Sequence, residues 1–117
     1  MTGEQARLES AVDAVRTFCE TRTPEDLRDE IRLDVSRRGR SITIHESRPP
    51  WDPERIGPEW TSTSVAQLRY DGSAGSWSLY CSDSGGRWWK YDGIGPAATV
   101  GPLLREIDRD PTGIFWG

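Results

Sequence analysis

Leu8, Ala11, Val12, Val15, Phe18 and Cys19 recur three and four residues apart, with Glu9, Asp13, Arg16 and Glu20 between them. That period lays one apolar stripe along a helix, expected over residues 1–22. Thr2 and Gln5 have the spacing of a capping box at its start. Pro24 cannot continue the hydrogen-bond ladder and stops it. After Asp29 the period falls from 3.6 to 2. Ile31, Leu33 and Val35 alternate with Arg32, Asp34 and Ser36, and beyond the turn "RRGR" Ile42 and Ile44 alternate with Thr43 and His45. The stretch "PPWDPERIGPEW", residues 49–60, carries too many prolines to be bonded strand and reads as an extended loop. A third strand sets Ala66, Leu68 and Tyr70 against Val65, Gln67 and Arg69. The turn "DGSAGS" leads to a fourth, Trp77, Leu79 and Cys81 against Ser78, Tyr80 and Ser82, and "DSGG" leads to a fifth, "RWWKY". Val100, Leu103, Leu104 and Ile107 restore helical spacing over 99–110; Pro111 ends that helix and an aromatic tail, Ile114-Phe115-Trp116, follows.

Strands joined by short turns are antiparallel neighbours. Two helices with one apolar stripe each need a surface to cover, and the greasy sheet face supplies it. The pattern therefore predicts a single α+β domain over 1–117: an N-terminal helix, a five-stranded antiparallel meander over 29–91 interrupted by the loop 49–60, and a C-terminal helix. Both helices are expected on one face, with Leu33, Ile44, Leu68, Leu79 and Leu104 in one core.

Composition adds limits. The hydrophobic share of 34% and a mean hydropathy of -0.70 mean a thin core. Six Trp make up area that aliphatics would otherwise bury. The formal net charge of -4 argues against duplex binding through phosphates. Lys90 is the one lysine among 15 basic residues, a bias that a GC-rich coding sequence accounts for better than arginine-specific recognition does. Cys19 and Cys81 are far apart, the first residues lack the apolar core of a secretion signal, and no run is long enough to span a bilayer. These features predict a cytoplasmic protein with both thiols reduced and buried, and no membrane contact.

Three stretches carry a family resemblance: E-x-R-P-P-W (Glu46 to Trp51), R-W-x-x-Y (Arg87, Trp88, Tyr91) and D-P-x-G-x-F (Asp110 to Phe115). From about Arg32 onward the chain resembles the bacterial family catalogued as domain of unknown function 3024, with the first helix matching more loosely. The resemblance supports the fold and implies no activity. Cys81 stands where the family pattern suggests an aromatic residue, which implies a less filled edge of the core.

Glu46 and Arg48 share parity with Ile42 and Ile44, so they fall on the covered face at its rim. Pro49 and Pro50 remove two donors in succession, which makes "ESRPPW" a structural corner where Arg48 can stack on Trp51. The functional alternative makes Arg48 an anion clamp in a groove walled by Trp51 and Trp60. A nuclease order, Asp34 followed by Glu46-x-Arg48, fails on parity, because Asp34 falls on the opposite face and a metal needs converging carboxylates. His45 is the only histidine, so no His–Cys metal cluster can form, and no metal or other cofactor is expected. His45 and Cys81 have opposite parity, and the glycine-rich turns lack the strand–helix setting of a phosphate cradle. No catalytic residue is assigned.

The outer sheet face offers more: Arg32, His45, Arg69, Tyr80, Trp88 and Lys90 share it if the alternation holds. Interleaved aromatics and cations suit protein contacts and also the stacking of single-stranded nucleic acid. The expectation is a non-catalytic macromolecular-interaction module whose partner is another protein or a second copy of the chain. The alternative is single-stranded nucleic-acid binding through the outer face, or a nucleic-acid-processing enzyme using Glu46 and Arg48.

Overall fold

A computed structural model describes residues 2–23, 31–48, 61–83 and 85–116. Its elements are α1 (Thr2–Arg22), β1 (Arg32–Arg38), β2 (Ser41–Arg48), β3 (Thr61–Asp71), β4 (Ser76–Ser82), β5 (Trp88–Lys90) and α2 (Gly101–Arg109). The strands form one antiparallel sheet in the order β1-β2-β3-β4-β5, so the α+β meander holds. The loop 49–60 and residues 24–30 lie outside the described residues.

Boundaries shift for local reasons. The sheet runs from Arg32 to Lys90 instead of 29–91, although the Tyr91 amide still donates to the Leu79 carbonyl at 2.9 Å. The second helix occupies Gly101–Arg109 instead of 99–110, because Pro102 fits only the first turn, where its missing donor is not needed, and Val100 is the N-cap. Of the expected capping box, the Thr2 side chain lies outside the described residues and Gln5 is engaged elsewhere. Its amide donates to Glu9 at 3.2 Å and accepts from Arg37 at 3.2 Å. With the Glu4–Arg40 ion pair at 2.9 Å and the Arg7–Tyr70 hydrogen bond at 3.1 Å, Gln5 fastens the start of α1 to the β1–β2 turn and the end of β3.

Register builds the core. Val35, Ile44, Ala66, Cys81 and Trp89 form one cross-strand row, and Ile42, Leu68 and Leu79 the next. Ile42, Ile44, Ala66 and Leu68 are fully buried beneath Leu8, Val12, Val15 and Cys19 of α1 and Leu103, Leu104 and Ile107 of α2. Leu33 sits at the margin, half-buried, and Phe18 likewise packs on the core from its edge. Cys81 is buried in its row, its thiol donating to the Trp89 carbonyl at 3.6 Å. Each aliphatic side chain taken wholly from water contributes about 1.5–3 kcal/mol.

Val65 departs from the alternation. Ile44 pairs with Ala66 and His45 with Ser64, which leaves Val65 between them as a bulge. The extra residue resets the period, so Val65 and Ala66 are both buried and Val65 is not on the outer face.

The D-P-x-G-x-F ending is a return turn. Asp110 takes a left-handed conformation (φ 43°) and its amide donates to the Glu106 carbonyl, closing α2. Its carboxylate accepts the amides of Phe115 at 3.0 Å and Trp116 at 2.9 Å, while Gly113 supplies the positive φ of 72° that turns the chain back. Phe115 then packs on Tyr91, ring centroids 5.1 Å apart. The Trp116 indole donates to the Ile107 carbonyl at 2.8 Å, and the Arg22 guanidinium lies 4.0 Å from the Trp116 ring centroid. The Tyr91 hydroxyl donates to Glu106 at 2.7 Å, and that bond foremost holds the phenol above its ordinary range.

Candidate functional site

The strand register places Arg32, His45, Arg69, Tyr80, Trp88 and Lys90 on one side of the sheet, opposite the helices. No described element lies over that side. Its residues fall in rows across the strands: Arg38–Ser41–Arg69–Ser78, then Ser36–Thr43–Gln67–Tyr80–Lys90. Arg69, Tyr80 and Lys90 are brought together on β3, β4 and β5, with Trp88 one pair further along β5, opposite Ser82. His45 stands apart, opposite Asp34, its Nε2 3.0 Å from the Ser36 hydroxyl.

The centre of the face is tied together. Gln67 donates to the Thr43 hydroxyl at 3.0 Å and accepts from Arg69 Nε at 2.6 Å. These bonds hold the guanidinium with its carbon 3.8 Å from the centroid of the Tyr80 ring. One arginine edge is thereby fixed, and its two terminal nitrogens have no partner among the described residues. Lys90 and Arg38 are exposed and likewise form no ion pair there. Against the four cations Arg32, Arg38, Arg69 and Lys90, the face carries the acids Asp34 and Asp71. Asp71 is engaged in its own turn: bonds from the Ser73 hydroxyl, then the Ala74 and Ser73 amides, lower its pKa.

Sequence alternation found six of these residues and passed over Thr43 and Gln67. Their parity was readable; their bonding was not, because an amide between a threonine and an arginine also describes a plain solvated face.

Glu46 has inner-face parity, opposite Leu33 on β1 and Thr63 on β3, and is half-buried. The Arg48 side chain, Trp51 and Trp60 lie outside the described residues, so of the proposed rim groove only Glu46 is placed. Asp34 pairs with His45 while Glu46 pairs with Leu33, so the two acids point to opposite faces and the nuclease order is not assembled. Among the described residues no three His, Cys, Asp or Glu cluster to hold a metal. Cys81 lies on the inner face and His45 on the outer, which separates them as a catalytic pair.

Both thiols are free and buried. Burial foremost, with Asp34 and Glu20 nearby, pushes the Cys19 thiol up to about 12, and burial foremost also raises Cys81. Neither is a nucleophile near neutral pH. In native protein at pH 7 both should react with a disulfide reagent roughly tenfold or more slower than in denaturant. An immediate burst followed by absorbance would place a thiol at the surface.

On the opposite side, a groove of about 610 Å³ between α1 and the start of α2 is lined by Ala6, Arg7, Ser10, Ala14, Trp77 and Thr99. Its cation is engaged with the Tyr70 hydroxyl, and the rest of its wall mixes alanines with uncharged residues such as Ser10, Trp77 and Thr99.

Trp89 has inner parity but lies beyond the helices and is 52% exposed, its indole donating to Asp83 at 2.9 Å. That bond and those from the Arg87 and Gly85 amides hold the Asp83 carboxyl below its usual range, so this acid organises the β4–β5 turn.

No curated protein and no solved structure matches the chain. The three stretches that carried the resemblance are explained in part by the fold: Tyr91 anchors α2 through Glu106, and Asp110 recovers the tail. The family model described as "Domain of unknown function (DUF3024)" matches residues 4–117, and the chain belongs to that family.

Proposed function

We propose that the chain is a non-catalytic cytoplasmic module that works by contact with another macromolecule, through the outer face of its sheet. The observation that carries this reading is the ordered set Thr43–Gln67–Arg69–Tyr80 on a face with no described element over it. Arginine and the large aromatics are the side chains that most often anchor macromolecular contacts. Side chains already held in place lose less freedom on binding. The perturbed groups elsewhere support a non-catalytic reading. Cys19 and Cys81 are displaced by burial, and Asp71 and Asp83 by their own turns, so each shift has a structural cause.

A photoreactive residue at Ser78, beside Arg69 in its row, tests the face in living cells, with one at Asp13 on α1 as the control. The expected result is a discrete heavier adduct from position 78 and none from position 13. No adduct at 78, or the same adducts from both positions, would end the outer-face reading.

A further inference from the structure

Resting on that outer-face reading, we infer that the occupant of the face is single-stranded nucleic acid. Charge separates two candidates first. The chain has a formal net charge of -4, yet the described residues of its outer face carry four cations against two acids. The described acids gather elsewhere, as Glu4, Glu9, Asp13 and Glu20 on α1 and Glu106 and Asp108 on α2. A second copy laid face to face would set cation against cation, which is repulsive. A polyanion has the complementary charge.

The surface chemistry then separates nucleic acid from an acidic protein. Across all five strands not one outward position among the described residues is aliphatic. Small hydroxyls (Ser36, Ser41, Thr43, Ser78, Ser82) form the floor, and Tyr80 and Trp88 stand above it. Protein contacts also draw on an apolar centre, and among the paired outward positions of the described residues only Tyr80 and Trp88 carry large apolar area. Aromatic faces beside Arg69 and Lys90, which form no ion pair among the described residues, are the requirements of an unpaired strand, whose bases stack while its phosphates are neutralised.

Geometry fits the same occupant. Tyr80 is opposite Lys90 and Ser82 opposite Trp88, so Tyr80 and Trp88 are diagonal neighbours, about 7–8 Å apart at their backbones. The Arg69 guanidinium covers one face of the Tyr80 ring, so successive bases of one extended strand can use that Arg69–Tyr80 stack and Trp88 in turn. The guanidinium held over Tyr80 is itself a plane on which a base can stack, and its terminal nitrogens, without a partner among the described residues, can meet a phosphate. Lys90 flanks the same ring from β5. A five-stranded sheet is broader than the two-stranded ribbon that the major groove admits, which disfavours base readout of a duplex there.

The test is fluorescence anisotropy of a short labelled oligonucleotide of mixed sequence, single-stranded as RNA and as DNA, and as the duplex. Binding of a single strand is expected at low salt, weakening steeply as salt rises and exceeding that of the duplex. Tyr80→Ala and Trp88→Ala should each weaken it roughly tenfold, whereas Tyr80→Phe, which keeps the ring, should retain it. Arg69→Gln and Lys90→Gln should each lower the salt slope by about 0.7. No binding, equal duplex binding, or full affinity in both alanine variants overturns the inference. Adducts to a protein at position 78 without oligonucleotide binding overturn it while leaving the outer-face reading standing. Absence of both removes the two together. Dimers that Trp88→Ala dissolves, with no oligonucleotide bound, would assign the face to a second copy and overturn it as well.

Discussion

Phe115→Ala should lower the free energy of unfolding by about 3–5 kcal/mol, a large part of the ~5–15 kcal/mol that holds a typical domain together. The ring is 7% exposed and packs on Tyr91, which in turn bonds Glu106 of α2. Its removal opens a cavity at the point where the sheet, α2 and the tail meet. Asp110→Ala should act on the same joint, at about 1–3 kcal/mol, by leaving the Phe115 and Trp116 amides without their acceptor. Asp110→Asn should cost less, because asparagine tolerates the left-handed backbone and keeps one acceptor oxygen. Urea titrations followed by tryptophan fluorescence read all three. A Phe115→Ala midpoint equal to the parent's would mean that the tail contributes nothing to the core.

Leu68→Ala should cost about 2–5 kcal/mol, while its immediate neighbours Gln67→Ala and Arg69→Ala should each cost under about 1.5 kcal/mol. The contrast follows from alternation: Leu68 is fully buried in the row with Ile42 and Leu79, while Gln67 and Arg69 are half-exposed on the other side. The same urea titrations decide it. Should Arg69→Ala cost as much as Leu68→Ala, the outer face would be a second core, and its arginine could not be assigned to a partner.

The sheet was legible because half-buried strands announce themselves at period 2. Ile42, Ile44, Leu68 and Leu79 lie where that period sets them. The bulge was not legible. One added residue, Val65, leaves no mark in an alternating pattern, since valine suits either face and the reset is fixed only by pairing with β2. Trp89 shows a related limit: parity assigns a face, but whether a helix extends over that position depends on tertiary placement. The α2 start was read two residues early because apolar spacing from Val100 does not mark the cap, whereas the position of Pro102 decides. At the candidate site, the sequence supplied parity and residue type for Arg69, Tyr80 and Lys90. It could not supply the Gln67 bridge, which turns a row of polar side chains into one with fixed orientation.

The meander also bears on the order of assembly. Every strand pairs with its neighbour in sequence, so the sheet can zip hairpin by hairpin as the chain is made. Leu103, Leu104, Ile107 and Phe115, which close its apolar side, all follow the fifth strand. Until they emerge, the nascent sheet shows Ile42, Ile44, Leu68 and Leu79 to water with only α1 to shield them. The vulnerable interval is thus the synthesis of the stretch between Lys90 and Phe115, when a pause would leave a finished sheet half covered and open to aggregation.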